Sequence, residues 1–202
     1  MRILTTLAAF ALSTGVAFAH TGHGSHDNAS FTYGFMHPLG GLDHLLAMIA
    51  VGFLAYLVSD RTSSNRPLWL VPAAFVGAMA IGGILGAFAF DLPLVELGIG
   101  LSIVAIGAAA AFGRQMPVAA AMALVGFFAI FHGHAHGTEM PQDSAGLAYG
   151  LGFMAATALL HAAGIAAGLG IGKLSRSQGV LAARAGGGVM ALAGVAIVAG
   201  II

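Results

Sequence analysis

Apolar residues fill long stretches of this chain, and polar ones are confined to brief gaps between them. Stretches at roughly 37–58, 69–90, 93–112, 117–134, 145–171 and 185–202 are each long enough to cross a bilayer as an α-helix. The gaps are short. Ser59 to Leu68 carries Asp60, Arg61, Ser63, Ser64, Asn65, Arg66 and Pro67; Asp91-Leu92-Pro93 and Gly113-Arg114-Gln115-Met116-Pro117 read as tight turns; Gly172 to Arg184 holds the remaining basic charge. The pattern predicts an all-α fold, a polytopic membrane helix bundle of six transmembrane helices over residues 37–202. No soluble domain is large enough to fold alone, and no nucleotide-binding loop is present.

A further apolar run comes first. Ile3 to Val16 follows a lone Arg2 and precedes Ala17-Phe18-Ala19, the small-x-small pattern of a signal peptidase site. Residues 1–19 are therefore expected to be a signal peptide whose cleavage leaves His20 as the new N-terminus, with an uncleaved anchor helix as the alternative. On either account residues 20–36 are an external His-rich segment. In it His20, His23 and His26 are candidates for capturing metal outside the membrane, against the alternative of a solvated linker with incidental histidines.

Composition agrees with the pattern. The chain is 59% hydrophobic and 7% charged with 31 glycines, and its mean hydropathy is +0.97, too apolar for an ordinary soluble core. There are no cysteines, which excludes disulfides, iron–sulfur clusters and thiolate sites; any metal must be held by nitrogen, oxygen or methionine sulfur. With a formal net charge of zero, no basic patch exists to neutralise nucleic acid. Apart from Arg2, the basic residues are Arg61, Arg66, Arg114, Lys173, Arg176 and Arg184, all in or beside the first, third and fifth connections. The positive-inside rule makes those connections cytoplasmic. Asp27, Asp91, Glu139 and Asp143 then fall outside with Glu96 near the outer end of the third helix, while Asp60 is inside. The expected location is a bacterial inner membrane, with both mature termini on its outer side.

Within so apolar a chain, two clusters of histidine and acid stand out: His37-Pro38-Leu39-Gly40-Gly41-Leu42-Asp43-His44 and His132-Gly133-His134-Ala135-His136-Gly137-Thr138-Glu139. Ionisable groups are costly in lipid and mark a path or site there, and imidazole with carboxylate suits a borderline divalent metal. The predicted topology puts both clusters in the outer half of the membrane. His37 and His44, seven apart, share a face of an ideal helix, as do His132, His136 and Glu139, whereas His134 points the other way. Asp43 lies off the His37/His44 line. Pro38 disfavours the α region at His37, and with Gly40-Gly41 it makes a regular helix doubtful at this point.

The two clusters resemble the paired signatures of the HupE/UreJ family of nickel and cobalt permeases. The resemblance covers most of the mature chain. It implies uptake of Ni²⁺ or Co²⁺ in support of hydrogenase or urease maturation, and carries over His37, Asp43, His44, His132, His136 and Glu139 as metal-binding positions. His134 falls where the family pattern is variable. On this reading the chain is not an enzyme and has no prosthetic group; the metal is cargo, moved inward by the membrane potential without ATP. Binding is expected to weaken as external pH falls through about 6.5, because ligation needs neutral imidazole. The alternatives are an intramembrane metal-dependent hydrolase, disfavoured because no serine or other polar group lies near the motifs to bind a lipid head group and because the external histidine tract suits capture better than catalysis, and a non-transporting metal sensor or store. His161, alone in the fifth helix, is either a structural hydrogen-bonding group or part of an exit path. Met36, Met48 and Met154 read as packing rather than thioether ligands, Met48 being the best placed because it follows His44 by four. Self-association into a homo-oligomer is left open.

Overall fold

The computed structural model describes residues 27–112, 116–141 and 145–202. The expected signal peptide and His20, His23 and His26 lie outside the described residues. Those described form helices and no strand: α1 (Asp27–Gly40), α2 (Leu42–Thr62), α3 (Pro67–Ala87), α4 (Val95–Phe112), α5 (Val118–Glu139), α6 (Ala145–Leu174) and α7 (Arg176–Val198). The last six are long and apolar enough to cross a membrane, matching the predicted count.

Three boundaries differ from the hydropathy reading. The first span begins at Leu42 rather than 37, because the chain breaks at Gly41, which is extended with φ −95° and ψ 120°. Pro38 does not end the helix beside His37 as expected; it sits inside α1, two residues before the end, where its missing N–H costs one bond to Gly34. The fourth span continues to Glu139, so the whole second motif is helical. The last span begins at Arg176 rather than 185, and the connection expected over Gly172 to Arg184 shrinks to Ser175. Long basic side chains reach water from a helix end, so charge there does not stop the backbone from satisfying itself helically. Elsewhere local signals set the ends. Ser63 closes α2 in the left-handed region at φ 51°, its N–H bonded to Ser59, and Pro67 opens α3 at a position where no N–H is needed.

The central element is α2, which contacts all the other helices and buries Ala47, Met48, Ala50, Val51, Leu54 and Ala55. Trp69, Ile81, Phe88, Phe127, Leu159 and Leu192 are exposed on the outside, an apolar exterior suited to lipid. Between helices, glycine sets the distance. Added Cβ atoms at Gly82, Gly86, Gly133 and Gly137 would collide with the carbonyl oxygens of Ile130, His134, Met79 and Gly83. The pairing of these positions makes α3 and α5 parallel neighbours, backbone on backbone. Gly34 against Tyr149 and Gly152 against Phe31 pair α1 antiparallel to the start of α6, and Gly52 with Gly164 seats α2 on α6. At one end of the bundle Arg176 pairs with Asp60 at 2.7 Å, and Arg61 donates to the Met116 carbonyl. The two histidine clusters occupy the other end.

Candidate metal centre

Three helices deliver the outer cluster. His37 comes from the last turn of α1, Asp43 and His44 from the first turn of α2, and His132, His136 and Glu139 from the last turns of α5. The break at Gly41 is what joins the first motif to the second. It takes His37 out of the helix that carries His44, contrary to the single helix face read from spacing, and folds α1 back so that the two rings stand 6.2 Å apart. A Cβ at Gly41 would stand 2.7 Å from Asp43 Oδ1 and 3.1 Å from His44 Nδ1, so any side chain there displaces the Asp43 carboxylate from its place beside His44.

His136 is the hub. Its Nε2 lies 2.6 Å from His44 Nε2, and its Nδ1 lies 3.6 Å from Glu139 Oε2, which is also 3.6 Å from His37 Nε2. Candidate ligand atoms of His37, His136 and Glu139 all fall within 4.8 Å of one another. Two imidazole nitrogens bound at right angles to one metal at about 2.1 Å would stand about 3.0 Å apart, close to the His136–His44 spacing. Phe153 of α6 packs against His136 with ring centroids 3.8 Å apart and the planes tilted by 37°. Asp43 sits behind His44. Its Oδ1 accepts from His44 Nδ1 at 2.7 Å and from the His44 backbone N–H at 2.7 Å. That bond assigns the His44 proton to Nδ1 and turns the Nε2 lone pair toward His136, as carboxylates behind metal-bound histidines do.

His132, one turn deeper, is wholly buried, its ring 5.0 Å from that of His44 and perpendicular to it. Here the fold supplies a residue that sequence reading passed over. Ser102 of α4 donates its hydroxyl proton to the Ile99 carbonyl at 2.6 Å and stands 2.9 Å from His132 Nε2. With its proton spent, Ser102 accepts from Nε2–H, which leaves the lone pair on the buried and unpartnered Nδ1. The expectation that no serine lies near the motifs is thus corrected: the pair is thirty residues apart in sequence and adjacent in space. Ser102→Ala is expected to lower metal affinity about 10- to 100-fold, as losses of such supporting bonds do, read by nickel titration of the purified chain; unchanged affinity would remove Ser102 from the site.

With that geometry established, comparison with known proteins decides the family. The model of the HupE / UreJ protein family matches residues 7–197. This chain belongs to the HupE / UreJ family. A curated relative, Protein HupE of Rhizobium leguminosarum bv. viciae, is 44% identical over 200 residues, 98% of each chain. No solved structure matches.

The HupE / UreJ match spans both motifs, Ser102 and His161. His134 faces away from the cluster, as its spacing indicated, and donates from Nε2 to the Phe90 carbonyl at 2.6 Å, tying α5 to the chain after α3. His161 is buried without a hydrogen-bond partner on either nitrogen among the described residues, so the structural hydrogen bond considered for it is not made. Met48 lies in the apolar core and Met154 packs against it, as expected, whereas Met36 is exposed. Besides Ser102, sequence reading missed Tyr149 and Phe153, which approach His37 and His136 from α6. Nothing in the local sequence distinguishes these two aromatic residues from their lipid-facing neighbours.

Proposed function

We propose that this chain is a permease taking up a divalent transition metal, Ni²⁺ or Co²⁺, to supply hydrogenase or urease maturation. The observation that carries the reading is the meeting of His37, His44, His136 and Glu139, from three helices, at one end of a bundle able to cross the membrane. Imidazole and carboxylate are ligands for borderline divalent ions. The basic residues at the opposite end favour an orientation with the cluster toward the outside of a bacterial inner membrane. His37, His136 and Glu139 then form the mouth, His44 and His132 the next donors, and Asp43 and Ser102 hold the two rings in the binding tautomer. No ATP is needed. Moving a charge of +2 inward is favoured by about 4.6 kcal/mol per 100 mV of inside-negative potential, twice the value for a single charge.

The test is uptake of radioactive nickel into proteoliposomes with an imposed potential. Accumulation that depends on the potential and exceeds the amount of protein supports a permease. Nickel bound only stoichiometrically would make the chain a sensor or store, and metal-dependent lipid hydrolysis would make it a hydrolase. The Ser102–His132 pair gives no help to the hydrolase, since the hydroxyl proton is held by Ile99 rather than by the imidazole.

Acid should switch uptake off, and the sign follows from ligation. His37, on α1 outside the six spanning helices, titrates below its ordinary value because burial disfavours the charged ring, partly offset by Glu139. A lowered value means that protons displace metal from His37 only below its unperturbed midpoint of about 6.5. Apparent nickel affinity is therefore expected to hold near pH 6.5 and to fall with further acidification. An affinity constant down to pH 4 would exclude histidine ligation at the mouth.

A further inference from the structure

Polar side chains continue below the outer cluster. His161 of α6 is 1% exposed and has two unpartnered ring nitrogens, a costly arrangement unless something binds there. Its ring meets Phe75 of α3 edge to face at 5.0 Å, and the same Phe75 ring stands 5.6 Å from His132. One turn from His161, Thr157 directs its hydroxyl at Met79 Sδ, 3.8 Å away, and Met79 is one turn from Phe75. Thus α6 presents Thr157 and His161 to Met79 and Phe75 of α3. A crevice of about 440 Å³ between α3, α5 and α6 has His136 and Met79 in an otherwise mostly apolar wall, and neither Thr157 nor His161 lines it.

We propose that His161, Met79 and Thr157 form a second, inner metal station, which receives a divalent transition-metal ion from the outer cluster past the Phe75 ring. The proposal rests on the uptake reading above and deepens it. The Phe75 ring is the partition between His132 and His161. The donor set suits a point of transit. Imidazole, thioether and hydroxyl are all neutral, so they hold a dication less tightly than a cluster containing Glu139, and a site on a path must release what it binds. Thioether sulfur favours the softer late transition metals over magnesium or calcium, which makes the station a filter as well as a step.

The composition gives a direct readout. The chain has no cysteine, so sulfur beside a bound metal can come only from methionine. X-ray absorption of the full chain in detergent, with Ni²⁺ in excess over the first equivalent bound, is expected to show a sulfur neighbour. Met79→Leu, a swap that conserves volume and is tolerated in cores, should remove it, and His161→Gln should weaken it. In proteoliposomes both variants should lower nickel turnover at least tenfold while leaving half-saturation, set by the outer cluster, unchanged. Absence of sulfur from the wild-type spectrum, or its persistence in Met79→Leu, would overturn the inner station. A sulfur neighbour lost in Met79→Leu, from a wild-type chain that does not accumulate nickel, would support the station and refute uptake.

Discussion

Changing His136 to alanine is expected to abolish nickel uptake, with the apparent affinity of the purified chain falling by at least about a hundredfold, the upper end of what losing a mere supporting group costs. The His136 ring reaches both parts of the cluster: one nitrogen faces His44 at 2.6 Å and the other faces Glu139 at 3.6 Å. Removing the ring takes a donor from between Glu139 and His44 and leaves Phe153 without the imidazole it packs against. His134→Ala is the matched control, two residues away on the opposite face. It removes a bond to the Phe90 carbonyl, a change worth about 1 kcal/mol, and should leave half-saturation for nickel unaltered. Equal loss in both variants would mean that the motif acts through folding rather than ligation.

The second large effect is structural. Gly133→Ala is expected to lower stability sharply, because the new methyl group would collide with the Met79 carbonyl oxygen and lie 2.8 Å from Gly83 N. Neither obstacle is a side chain that could turn aside, so α3 and α5 must separate. Overpacking typically costs about 1–3 kcal/mol and occasionally more, and backbone against backbone belongs at the upper limit. The helix propensity gained by alanine, about 1 kcal/mol, does not offset it. Gly77→Ala, on α3 where nothing lies within 4 Å of the added carbon, supplies the contrast and should be neutral or stabilising. Thermal melts followed by circular dichroism in detergent separate the two; a wild-type melt for Gly133→Ala would show that the seam is looser than described.

Much of this architecture was legible in the sequence because lipid imposes a coarse rule. Apolar runs and the gaps between them gave six spans, and the i, i+4, i+7 spacing of His132, His136 and Glu139 placed them on one face with His134 off it, as observed. Topology puts both motifs in the outer half of the membrane; that their side chains touch is shown only by the fold. What escaped notice depends on tertiary contact. Pro38 and Gly40-Gly41 flag an irregularity between His37 and His44, but not its form, a break of one residue at Gly41 that leaves no trace in hydropathy. Ser102 resembles any serine in an apolar helix until α4 comes to rest beside His132. The start of α7 was placed too late because Arg176 and Arg184 read as loop, although charged ends of spanning helices are compatible with helical backbone.

The glycine seam between α3 and α5 has a bearing on how metal preference can be altered. In the eight residues from His132 to Glu139, Gly133 and Gly137 fit α5 against α3 while His132, His136 and Glu139 face the cluster. Ligand choice and helix fit are written over each other there, and an insertion or a shift of one position would spoil both. His37 is exempt. It stands on a short helix connected to α2 through a single extended glycine and packed on α6, away from the α3–α5 seam, so exchanging it for aspartate or methionine changes the hardness of the donor set without disturbing the seam. A laboratory selection for a different cargo has its most accessible route at that one position.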